Sequence, residues 1–259
     1  MSVEINKDML YPSLLYNKPV KYDDYITLYP VTMNDVIMFN LLSQSITVRK
    51  NSTFRDKKII KMTYLDFLIY ASGNEELEEQ YKIQGLSMFY VYAIQLLQLC
   101  CKDAEIEINQ DNGWIVINEE IITPQIFDDL RRIIIIQNDI DFDIDEFINY
   151  DTEQTLKKAE QKVNKEKDKA SIEDYIDSLI IVMNTTEERI MNMTIRKFWR
   201  YVKRYQLFEN YKISKTGECS GFVTFKEPIK YWMISLEDGN EDKYKDVKTD
   251  EGELRSKIG

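Results

Sequence analysis

A chain of 259 residues, 44% hydrophobic and 12% aromatic, holds enough apolar material for one large domain or two small ones, which argues against global disorder. Its 34 Lys and Arg stand against 45 Asp and Glu, and the resulting charge of -11 repels a phosphate backbone unless one basic face is segregated. Histidine is absent, which removes Ser-His-Asp and Cys-His catalysis, His-ligated zinc and the commonest general base near neutral pH.

The first segment, "MSVEINKDMLYPSLLYN", lacks a basic stretch followed by an apolar run, so no signal peptide is expected. No stretch reaches the roughly 18 apolar residues of a membrane span. "YITLYPVTMNDVIMFNLL" predicts a short strand from Tyr25 to Tyr29, broken by Pro30, and then a helix that Thr32 can cap. "MTYLDFLIYAS" repeats the pattern, with Thr63 as N-cap and Gly73 as the stop. A long helix is expected from about Glu75 to Cys101, acidic at its start, which suits the helix dipole. "AEIEINQDNGWIVINEEI" is the clearest β signal: Ile106 and Ile108 alternate with polar residues, Asn112-Gly113 supplies turn chemistry, and Ile115 and Ile117 return on one face. Thr123-Pro124 then opens a helix whose Ile133 to Ile136 run implies burial on most sides.

Residues of about 151–170 carry mixed charges and no aromatic ring, and they read as a charged linker between two lobes, either an exposed helix or a flexible tether. Ser171 with Asp174 gives a shorter-armed capping box, and Thr185 with Glu188 gives the standard one. The fold class is therefore mainly α with a small β component, one Asn-Gly hairpin at about 104–118. Residues 1–150 form an N-terminal α+β lobe, 171–236 a C-terminal helical lobe, and 237–259 a polar tail.

Candidate sites are few. Cys100, Cys101 and Cys219 form neither a disulfide framework nor a zinc spacing, and read as buried reduced thiols. The run Asp139, Asp141, Asp143, Asp145 resembles a calcium loop in its alternation, but Ile144 stands where glycine is needed and Tyr150 where glutamate is needed. It reads better as a half-buried extended segment with one wet face. No catalytic residue, metal site or cofactor is assigned, and no phosphate-cradling glycine loop is present. Gly217 and Gly221, around Ser220, read as a turn. "MTIRKFWRYVKRYQ" is the most pointed stretch. Ile195, Phe198, Trp199 and Val202 fall on one helical stripe and are expected in the core. Arg196, Lys197, Arg200, Lys203 and Arg204 occupy the remainder, a basic face suited to an acidic protein partner rather than to base stacking.

The strings "ITLYPVTMNDVIMFN", "MTYLDFL", "FDDLRRIIIIQN", "IEDYIDSLIIVM", "MTIRKFWRYVKR" and "SGFVTFKEPIKYWM" together resemble proteins of tailed bacteriophages and prophages of low-GC Gram-positive hosts, a type labelled tail assembly chaperone. The likeness runs in order over most of residues 25–235. It implies a mostly helical, non-enzymatic protein of the host bacterial cytoplasm that coats the tape measure protein and helps to start tail-tube polymerisation. Protein partners are expected, with neither nucleic acid nor membrane, and an oligomer is compatible. No binding residue is carried over from the family. The competing readings are a virion component at the tail or connector and, third, a carboxylate-dependent nuclease using Asp139 to Asp145.

Overall fold

The computed structural model describes residues 5–109, 112–145, 170–221, 225 and 227–236. The fold is mainly α with small antiparallel sheets. The chain divides into two compact units, Met1–Arg196 and Lys197–Gly259. The expected linker at 151–170 lies outside the described residues save for Ala170, as does the expected polar tail at 237–259. Among the described residues no helix is long and apolar enough to cross a membrane.

Unit 1 opens with α1 (Lys7–Tyr16), whose free N–H groups are capped by Asn6. Strands β1 (Val20–Lys21) and β2 (Thr27–Leu28) pair antiparallel, so the strand expected at Tyr25 to Tyr29 is short and has a partner that its pattern did not announce. Helix α2 (Val36–Leu42) follows a 3-10 turn at Met33–Asp35. Thr32 precedes that turn without using its hydroxyl as a cap; its backbone instead bridges to Thr194. Short helices α3 (Lys50–Thr53) and α4 (Lys57–Lys61) lead into α5 (Tyr64–Ala71), where Thr63 caps the amide of Asp66 as its sequence position predicts.

The long helix expected from Glu75 to Cys101 is two helices, α6 (Glu75–Tyr81) and α7 (Phe89–Cys100). Lys82 (φ 54°) and Gly85 (φ 78°) adopt left-handed backbone between them, a conformation glycine takes at no steric cost. The carboxylate of Glu78 fixes the break by accepting from the amides of Gly85 (2.8 Å) and Ser87 (3.1 Å) and from the Ser87 hydroxyl (2.6 Å). These three hydrogen bonds hold its carboxyl below the usual range.

The hairpin is present as β3 (Ile106–Ile108) against β4 (Ile115–Ile117), with Ile106 opposite Ile117 and Ile108 opposite Ile115. Among the described residues of its turn Gly113 alone has positive φ (71°), and the backbone closes between Asn109 and Trp114. A third strand, β5 (Glu120–Ile121), pairs with β4 across Asn118 and Glu119, both at positive φ. Asn-Glu lacks the glycine that marks such turns, which hid this strand from sequence. Only the β4 face is core: Ile115 and Ile117 are fully buried, whereas Ile108 is 49% exposed.

Helix α8 (Pro124–Gln137), capped by Thr123, is the central element of the unit. It packs on α5, α1 and β2, while α7 packs on α2 and α5. Phe127, Leu130 and Ile133 to Ile135 are buried, and Ile136 is half-buried. The core around α5 is aromatic: Phe54, Phe67, Tyr64 and Tyr81 meet edge to face, with centroids 4.7–5.7 Å apart. Helices α9 (Ile172–Met183), with the capping box of Ser171 and Asp174 complete, and α10 (Glu187–Met191) complete the unit. Thr186, not Thr185, caps α10. Helix α11 (Ile195–Cys219) begins at the end of unit 1 and supplies the main element of unit 2. It runs through Gly217, so the expected turn starts later, at Ser220 and Gly221 (φ 75°).

Candidate functional site

In unit 1, an open cleft of about 350 Å³ lies beside α3, α5 and α8. Gln125, Asp128, Asp129 and Arg132 line it from α8 at helical i, i+3, i+4 and i+7 spacing, and Arg131 lies deeper. Arg131 is only 6% exposed, a costly place for a charge. Three contacts hold it there. Its Nε donates to the carbonyl of Ile46 (2.6 Å), its guanidinium lies 3.6 Å from the centre of the Tyr64 ring, and Phe142 lies 5.5 Å away. The carboxylate of Asp128 stands 3.8 Å from Nη1, beyond hydrogen-bond reach. Lys50 donates from Nζ to the Met62 carbonyl. Tyr64 donates to the Ser45 carbonyl (2.9 Å) and accepts from the amide of Val48 (3.0 Å).

Burial perturbs all four groups, and each shift disfavours the charged form. It raises the Asp128 carboxyl and the Tyr64 hydroxyl, and it lowers the Lys50 ammonium and the Arg131 guanidinium. Such a cluster in a cleft makes it a candidate site. Beside it, Asp129 accepts from the Tyr22 hydroxyl (2.9 Å). Arg132 grips Asp145 through both terminal nitrogens (2.6 and 2.8 Å), and that grip holds the Asp145 carboxyl below the usual range.

The alternation read from the acidic run holds from Asp141 onward, but Asp139 is half-buried in left-handed backbone (φ 57°), so the run is not the extended segment expected from sequence. Asp141, Asp143 and Asp145 are exposed, while Phe142 and Ile144 are half-buried. Arg49 donates to the Asp143 carbonyl (3.1 Å) and stacks 4.6 Å over Phe142. Among the described residues no three His, Cys, Asp or Glu side chains are placed to hold a metal ion.

The cysteines divide. Cys100 and Cys101 are buried, and burial pushes both thiols up, Cys101 to about 12. Cys219, expected buried, is exposed near the end of α11.

On α11 the stripe read from sequence is largely core. Ile195, Phe198 and Val202 are buried, and Trp199 is half-buried with its ring 5.2 Å from Phe198. The basic face does not stay together. Arg196 is 5% exposed, and its Nη1 donates to the Leu14 carbonyl at 3.4 Å, so it belongs to the interior of unit 1. Arg204 donates to the carbonyls of Trp232 (2.5 Å) and Ile234 (2.9 Å), clamping the chain after the helix. Lys203 is exposed, whereas Lys197 and Arg200 are half-buried.

Within unit 2 the segment 231–234 runs back along α11. Trp232 meets Phe208 at 5.0 Å, Tyr231 meets Tyr211 at 5.4 Å, and Tyr231 and Met233 remain 52% and 61% exposed. Residues 197–236 carry eight Lys or Arg against three Glu, on a chain whose net charge is -11. This stretch therefore holds a local excess of positive charge within an acidic chain.

Sequence reasoning missed Arg131 and Lys50. A signal existed for the first. Arg131 sits four residues after Phe127 and three before Ile134, inside the apolar stripe of α8, where a charge is out of place unless it is partnered. Lys50 gave none, because its burial depends on α8, far along the chain.

Residues 162–237 match the family model described as the YomV second domain. No curated protein and no solved structure matches the chain.

Proposed function

We propose that this chain is a non-enzymatic assembly protein of a phage or prophage, a tail assembly chaperone that binds the tape measure protein through unit 2. The partial match to the YomV second domain supports the coarser reading, a protein of phage or prophage type. The observation that carries the binding role is the charge reversal along the chain: residues 197–236 are strongly basic within an acidic protein. Lys203 stands exposed, and the apolar Tyr231 and Met233 are exposed on the same unit. A unit that exposes a cation together with aromatic and apolar side chains suits an acidic helical or extended protein segment, with charge steering the encounter and apolar contact holding it. The missing histidine is consistent with a binding role, because the usual proton-transfer residue is unavailable.

The test is quantitative mass spectrometry of infected or induced cells and of purified virions, with cross-linking of the full chain to its neighbours. Cross-links from unit 2 to the tape measure protein, with the chain absent from virions or far below stoichiometry, are expected. Stoichiometric presence in virions would replace this reading with a structural component of the tail or connector.

A further inference from the structure

The cleft lies within unit 1, and its charges are arranged for a ligand. Six charged side chains line it, but three are already engaged: Arg132 with Asp145, and Asp129 with Tyr22. The inner set is Lys50, Arg131 and Asp128, two cations against one anion. Asp128 satisfies neither cation fully. It lies 3.8 Å from the Arg131 guanidinium, and Lys50 turns to a backbone carbonyl instead. Arg131 is anchored through Nε and its stack on Tyr64, which fixes the plane of the guanidinium without using its whole fork of donors. A rigidly held guanidinium beside a second cation, in an open cleft, is the geometry that binds tetrahedral or planar oxyanions.

We propose that this cleft is an oxyanion-binding site in which Lys50 and Arg131 hold a phosphate or carboxylate group, with Asp128 as the opposing charge that sets its strength. The volume of about 350 Å³ admits such a group and the small body attached to it. Binding adds an anion next to Asp128, so it favours protonation of that carboxyl, which burial already pushes in the same direction.

The experiment is an amide-detected NMR titration of the full chain at fixed ionic strength, once with inorganic phosphate and once with acetate. Saturable shifts at Lys50, Tyr64, Asp128 and Arg131 are expected with at least one of them. Preference for phosphate assigns a phosphate-bearing ligand, and preference for acetate a carboxylate. Lys50→Gln should weaken binding about tenfold, the loss of one charge-assisted contact. Asp128→Asn should tighten it, a change of opposite sign that a merely structural role does not produce. Neither anion saturating, or both variants titrating like the parent, would overturn the proposal.

Discussion

Helices α8 and α11 look alike in sequence and behave differently in the fold. Each is amphipathic, and each carries arginine beside a line of apolar residues. Half of α8 is buried, including the run Ile133 to Ile135. On α11, although it is much longer, only Ile195, Arg196, Phe198 and Val202 are buried. Periodicity states which residues share a face; it does not state whether anything covers that face. The two buried arginines make the same point. Arg131 and Arg196 both donate to a backbone carbonyl distant in sequence, of Ile46 and of Leu14, and no local pattern could announce those partners.

The contrast breaks or holds at single positions. The largest effect belongs to Ile134, 1% exposed on α8, set against Ile213, 68% exposed on α11. Ile134→Ala should cost about 2–5 kcal/mol of unfolding free energy in urea, because a core deletion leaves a cavity. Ile213→Ala should stay within roughly 0.5 kcal/mol of the parent. Equal costs would mean that α11 is covered as α8 is.

Arg131→Ala should follow at about 2–4 kcal/mol, since it leaves the Ile46 carbonyl unsatisfied and removes the stack on Tyr64. The same urea titration reads it. A loss below that of an ordinary surface charge would show that the guanidinium is not anchored as described.

Trp199→Ala sharpens the boundary between core and surface. Full burial would imply about 3–5 kcal/mol. The half-buried indole should cost less, about 1–2.5 kcal/mol, because only part of its apolar area leaves water. Phe198→Ala, one residue away and fully buried, is the internal standard and should cost more.

The smallest effect is Asp145→Asn, which removes an exposed pair worth at most about 1 kcal/mol. Arg132 lowers the Asp145 carboxyl in the folded state. Its stabilisation is therefore present above the unfolded aspartate range, near 3.9, and is lost as pH falls through the lower folded value. Parent and variant should differ slightly at neutral pH and converge in acid.

Much of the fold was legible because its signals are local. The caps at Thr63, Thr123 and Ser171, the Asn112-Gly113 hairpin and the stripe of Ile195, Phe198 and Val202 each follow from neighbouring residues. What sequence concealed depends on distant contacts or on a single side chain. The break between α6 and α7 is fixed by Glu78 reaching Gly85 and Ser87, and strand β5 turns on a pair without glycine. The candidate sites were half legible. The basic character of the α11 region could be read directly, but the removal of Arg196 and the clamp at Arg204 could not, because their acceptors lie on Leu14, Trp232 and Ile234. The oxyanion cleft was hidden for the same reason: Lys50 and Arg131 meet only once α3 lies beside α8.

The most direct test of the proposed binding role is the affinity of the full chain for a phage tape measure protein across a salt series, with the double variant Arg200→Glu, Lys203→Glu beside the parent. Binding by the parent that weakens as salt rises, and that the double reversal lowers by about tenfold or more, is the predicted result. An affinity unchanged by the reversal, or tight salt-steep binding of the parent to DNA or RNA in its place, would contradict it.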